Sequence, residues 1–137
     1  MNISAFTSLS MAMLLAACAS STNTHMKRAD RFLAESEASA SQGDWSTAIS
    51  LVEKVQEQVT AAVEVRPVRA GLGGSELDLR SRLEEWRRIG SRNLVISLKS
   101  KSADRAQDAF TEARLQCVSC HTALGKSDIA ITNWAAP

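Results

Sequence analysis

The chain has 137 residues, a length suited to one domain. Its 16 basic and 15 acidic side chains leave a formal net charge of +1, which excludes the basic excess expected of a nucleic-acid binder. With 6 Gly, 2 Pro and no Tyr, it is too poor in turn formers for a β-sandwich. Ala, Ser, Leu, Glu and Arg dominate instead, and Ala, Leu, Glu and Arg lose little freedom in a helix.

The first eighteen residues, MNISAFTSLSMAMLLAAC, carry no charge. They are too short for a transmembrane helix, which needs about 20 apolar residues, and suit a signal peptide that takes no part in the fold. The stretch also has no Lys or Arg in its n-region. Its end, Leu15-Ala16-Ala17-Cys18, resembles a bacterial lipoprotein box. The resemblance implies residues 1–17 as signal peptide, cleavage before Cys18, a lipid on Cys18, and 18–23 as a polar linker. An ordinary cleaved signal peptide stays open as the other reading. By the same resemblance, Ala19 rather than Asp after the cysteine implies the outer membrane, with the protein facing the periplasm. Each buried CH₂ of an acyl chain adds ~0.8 kcal/mol to anchoring. Of the 3 cysteines, lipidation would leave Cys117 and Cys120. Outside the cytosol free thiols tend to be oxidised, so a retained pair needs a reason.

From Thr24 to the end, residues 24–137 read as one helical domain. Met26, Ala29, Leu33, Ser36 and Ala40 share a face, with Phe32 beside them. Gly43-Asp44 stops this helix and caps the next. Trp45, Ala48, Ile49, Val52, Val55, Val59, Ala62 and Val63 form the second stripe, which ends near Val65 before Pro67. RPVRAGLGG is a loop. Ser75 with Asp78 is similar to a capping box and opens a third helix, with Leu79, Leu83, Trp86 and Ile89 inward and Leu94 and Leu98 continuing the face. Gly90 marks a close contact or a bend. After a turn at 100–102, Ser102 caps a fourth helix with Ala106, Phe110, Ala113, Cys117 and Cys120 on one face, ending near Gly125. No segment alternates like a strand. The expected fold is all-α, a four-helix up-down-up-down bundle. The first two helices also resemble a tetratricopeptide hairpin, but one copy is visible where about three bury a core, so a simple hairpin is the better reading.

The chemistry-bearing stretch is Cys117-Val118-Ser119-Cys120-His121. Structural zinc wants four N or S ligands; this stretch supplies three, and the only other histidine is His25. A thioredoxin-like dithiol opens a helix after a strand, whereas this motif closes one, where the dipole disfavours a thiolate. C-x-x-C-H is the attachment signature of a c-type haem. Each thiol adds to one vinyl group and the histidine reaches the iron. On a helix, positions 117, 120 and 121 share one face.

Position, length and helix count make the chain resemble the class II c-type cytochromes, the cytochrome c′ family, in which haem is attached on the last helix of a four-helix bundle. Class I domains carry the motif near their start and find a methionine downstream; here 16 residues follow His121 and none is Met. In the class II family a basic residue usually stands four places after the histidine; here that place is Gly125, with Lys126 next. The resemblance implies one covalent haem c on Cys117 and Cys120, with His121 as proximal axial ligand. In the mature chain the other axial position has two candidates at the start of the first helix. Met26 comes first, by similarity to low-spin members of the family, and His25 second. The alternative to Met26, ahead of His25, is an open five-coordinate iron.

Phe32, Trp45, Trp86, Phe110 and Leu124 are further candidates to line the haem, and Arg114 and Lys126 to pair with its propionates. The expected role is electron transfer rather than enzymatic turnover, with a membrane-associated redox partner and the membrane itself as contacts; a homodimer stays open. The alternatives are a cytochrome c′ that binds NO or CO at an open site, and a helical envelope scaffold without haem.

Overall fold

The computed structural model describes residues 7–134, with side chains from Thr22 onward. The expectations of a signal peptide at 1–17 and of a lipid on Cys18 concern side chains outside the described residues. The protein is mostly helical. α1 spans Thr7–Ser41 and α2 Trp45–Val65. A short antiparallel ribbon follows, β1 Val68–Ala70 and β2 Glu76–Asp78. α3 (Leu79–Glu85), a π-helical stretch Trp86–Ser91 and α4 (Arg92–Lys99) form one continuous rod. α5 runs Ala103–Ala123. Among the described residues no helix is long and apolar enough to cross a membrane.

Local chemistry sets most of the boundaries. Gly43 ends the turn after α1, and Asp44 caps α2 by accepting from the Thr47 amide at 3.1 Å. That bond holds the Asp44 carboxyl below its ordinary value. α2 stops at Val65, two residues before Pro67, which lacks the amide a helix would need. Ser102 accepts from the Arg105 amide at 3.5 Å at the start of α5, where Asp104 also suits the helix dipole.

Three features depart from the sequence reading. Residues 18–23, expected as a linker, fall inside the bounds of α1. The stretch read as a loop is a ribbon, with Val68 opposite Asp78, Arg69 opposite Leu77 and Ala70 opposite Glu76. Gly73 and Gly74, at φ of 80° and 81°, turn the chain through the left-handed region that glycine enters freely. The cap of the third helix is Asp78, which accepts from the Arg80 amide at 2.9 Å, not Ser75.

The core draws on every long helix. Ala29 and Leu33 of α1, Ala48, Val52 and Val55 of α2, Leu83, Trp86, Leu94 and Leu98 of the rod, and Ala106, Phe110 and Ala113 of α5 are buried together. α1 and α2 lie alongside each other, pinned by the buried Ser36 hydroxyl donating to the Ala48 carbonyl at 2.8 Å. The rod meets α5 at Gly90. A β-carbon there would stand 2.6 Å from the Trp86 ring and 2.5 Å from Gln116 Oε1. The glutamine can swing away; the buried indole cannot. Gly90→Ala gains up to about 1 kcal/mol of helix preference but overpacks at about 1–3 kcal/mol. A net loss of about 1–2 kcal/mol is expected by urea unfolding, and an unchanged midpoint would show that the Trp86 ring yields.

Candidate functional site

The motif lies within the last two turns of α5. Cys117 continues the buried stripe of Ala106, Ala109, Phe110 and Ala113, and Cys120 and His121 lie on the same side of the helix, all three half-buried. Both thiols are free. The helix ends in a Schellman motif directly after them. The Gly125 amide donates to the Thr122 carbonyl at 2.9 Å, and the Lys126 amide to the His121 carbonyl at 2.8 Å. The motif requires a left-handed residue at its C′ place, and Gly125 sits there at φ 69°. This is the physical reason for glycine where the class II pattern has a basic side chain.

Three pieces of the fold converge on this end of α5. The first is α1. The Asp30 carboxylate is close enough to act on both Cys117 and His121. The second is the C-terminal tail, which folds back over the α1–α5 seam. Asp30 accepts from the Thr132 amide at 2.9 Å and from its hydroxyl at 2.6 Å. The Thr132 carbonyl accepts from Arg114 Nε at 3.0 Å. The third is the ribbon: a β-carbon on Gly71 would lie 3.2 Å from the Ala123 carbonyl, and one on Gly125 3.6 Å from the Leu72 side chain. From this side Arg82 and Arg69 act on the Cys120 thiol.

These surroundings set the protonation states. Burial pushes the Cys117 thiol up to about 12, with Cys120 and Asp30 adding and Arg114 opposing. Burial also raises Cys120, against the two arginines. Both groups are therefore thiols at neutral pH, poor material for a redox dithiol, which works as a thiolate. Burial lowers His121, with Asp30 opposing and Lys126 assisting, so its imidazole is neutral near pH 7. Its Nδ1 is buried without a hydrogen-bond partner, as are Trp86 Nε1 and Gln116 Oε1 where the rod meets α5. Two thiols and a neutral imidazole with an unclaimed nitrogen, on one helical face, fit a c-type haem.

The other expected residues divide. Met26 is half-buried and shares the α1 face of Asp30, Leu33 and Glu37, one turn or about 6 Å before Asp30. His25 is turned elsewhere: its Nδ1 bonds Gln58 Oε1 of α2 at 2.7 Å. Trp86 stands beside the motif through its contact at Gly90 and Gln116, and Leu124 caps α5. Phe32 instead takes Lys54 of α2 over its ring at 5.6 Å. Trp45 lies by Leu98 and Lys101, beside the turn that opens α5. Phe110 is a fully buried core residue.

Arg114 also departs from expectation. It is 2% exposed and forms a two-pronged bond to Glu37, at 3.1 and 2.5 Å, so it is not available at the surface. Sequence reasoning missed Glu37, Asp30 and Thr132. The one available signal is that Asp30 and Glu37 lie seven apart, on the same face as Met26 and Leu33. Surface clefts lie beside Val63 and Arg87 and beside Trp45 and Leu98, and neither is lined by a motif residue. Compared with known proteins, the chain matches no family model, no curated protein and no solved structure.

Proposed function

We propose that the chain is a monohaem c-type cytochrome of class II architecture that passes electrons at the bacterial cell envelope, anchored by a lipid on Cys18. The observation that carries this is the placement of Cys117, Cys120 and His121 on one half-buried face at the end of the last long helix. A haem bound there supplies a one-electron iron centre. Cys117 and Cys120 would hold the haem through their sulfurs, each S–H adding across one vinyl group, and His121 would hold the iron through its neutral imidazole. The ribbon and the tail wall the site and exclude water from one edge, while the half-buried motif leaves the other edge near solvent for electron exchange.

An up-down-up-down bundle is supported pair by pair. Ser36 meets Ala48 and His25 meets Gln58 across α1 and α2. Arg114 meets Glu37, and Asp30 acts on Cys117 and His121, across α1 and α5. Both pairs therefore run antiparallel. The same contacts put the motif level with Asp30 of α1, about 18 Å of helix beyond Cys18. The haem end is thus the membrane-proximal end, and the redox partner is membrane-associated.

In this reading Met26 would be the second side chain to hold the iron. One observation favours the gas-binding alternative: the motif is level with Asp30, about 6 Å of helix beyond Met26. Carbon monoxide separates the two. If Met26 ligates the iron, the reduced protein is low-spin and ignores CO, and Met26→Ala becomes high-spin and binds it. If the wild-type protein binds CO at once, the site is open and the gas-binding reading replaces this one.

A further inference from the structure

Resting on the c-type reading above, we propose that Arg69 and Arg82 form a two-arginine receptor for the carboxylates of the haem. The ribbon register is the starting point. Arg69 sits opposite Leu77, and these two are half-buried while Val68, Ala70, Glu76 and Asp78 around them are exposed. Arg69 is therefore on the inner face. That face is seated on the end of α5, because Gly71, two residues on, abuts the Ala123 carbonyl. The ribbon thus delivers Arg69 to the motif.

Arg82 arrives from the rod. It is half-buried and adjoins the buried Leu83. The contact at Gly90 and Gln116 fixes the register of the rod against α5. Eight residues back along the rod, about 12 Å, brings Arg82 past the level of Cys120. Both guanidinium groups are near enough to act on the Cys120 thiol.

What points to an absent anion is the state of these two side chains. The Arg69 side chain has no hydrogen-bond or ion-pair partner among the described residues. Arg69 is half-buried as a residue, and a cation partly withdrawn from water gains from an anionic partner. The partner of Arg82 is Glu85 at 3.7 Å, an i,i+3 pair on its own helix with both side chains over a third exposed, and such pairs contribute little. Two other cations reach this end: Arg114 is enclosed by Glu37 and Thr132, and Lys126, near enough to act on His121, is an exposed lysine. A haem brings two carboxylates, and the planar arginine fork matches that group in a way lysine does not.

The test uses the full-length haem-loaded protein. Its covalent haem content and its midpoint potential across a pH series are compared for wild type, Arg69→Ala/Arg82→Ala, and the control Arg80→Ala, an exposed arginine paired with Asp78. The double variant should keep its covalent haem, because the cysteines hold it. Its potential should fall below that of the control, and the pH-dependent step from haem carboxylate ionisation should move to higher pH. Arg69→Lys, which keeps the charge without the fork, should move that step in the same direction by less, and serves where the double variant does not fold. A coloured wild type whose double variant titrates like the Arg80→Ala control overturns the arginine receptor alone. A colourless wild type overturns the haem reading and the receptor with it.

Discussion

Replacing both Cys117 and Cys120 with alanine is expected to abolish covalent haem, and either single replacement to remove most of it. Each sulfur makes one of the two bonds to the macrocycle, and the third cysteine of the sequence, Cys18, stands 99 residues before Cys117. The change itself is small for the fold. Both side chains are half-buried at the end of a helix that is held by its buried stripe and by the Schellman bonds of Gly125 and Lys126, so helical content should stay near wild type. His121→Ala should behave differently: the thioethers form, and the chromophore stays with the chain but with an altered spectrum, since only the iron ligand is gone. Mass spectrometry of the denatured chains reads both results. A double cysteine variant that still carries one haem mass would show that attachment lies elsewhere.

The largest effect on stability is expected from Arg114→Ala. Its guanidinium is buried, bidentate to Glu37, and donates to the Thr132 carbonyl. Asn133 also donates to the same Glu37 at 3.0 Å. Removing the arginine leaves the Glu37 carboxylate, 18% exposed, without its cation and frees the tail from α5. Breaking such a pair from one side costs about 3–5 kcal/mol, which for a domain of this size lowers Tm by roughly 10–25 °C. The contrast is the Arg31–Glu35 pair on the surface of α1, at 62% and 50% exposure; Arg31→Ala should change stability by less than about 1 kcal/mol. Equal losses from the two variants in thermal unfolding would mean that the Arg114 cluster does not hold the tail.

The parts of this fold that could be read from sequence are those set by near neighbours. Gly43-Asp44, Val65 before Pro67, Ser102 and Gly125 each act within one turn of chain, and each marks a boundary where the structure has it. The stripes of α2 and α5 were equally legible, because burial repeats every three or four residues. The ribbon was not: three residues per strand are too few for alternation to show, and only the pairing of Arg69 with Leu77 reveals an inner face. The π-helical stretch at Trp86–Ser91 carries no periodicity that separates it from the α-helix around it.

The site was legible in the same divided way. Cys117, Cys120 and His121 declare themselves by spacing alone. Their surroundings come from distant chain: Glu37 lies 77 residues from Arg114, and Asp30 lies 102 from Thr132. A charged residue within a helix reads as solvated until its partner is known, which is why Arg114 reads from sequence as a candidate for the haem propionates and not as the partner of Glu37. His25 and Met26 are neighbours in sequence, yet about 100° of helical rotation turns one to Gln58 of α2 and sets the other on the face of Asp30.

One measurement bears most directly on the central claim: the visible absorption of the full-length protein, made in a host that matures c-type cytochromes, then denatured and extracted with acidified acetone. The expected result is one haem that stays with the polypeptide, because thioethers at Cys117 and Cys120 survive loss of the fold. A colourless protein, or colour that leaves with the solvent, would contradict it.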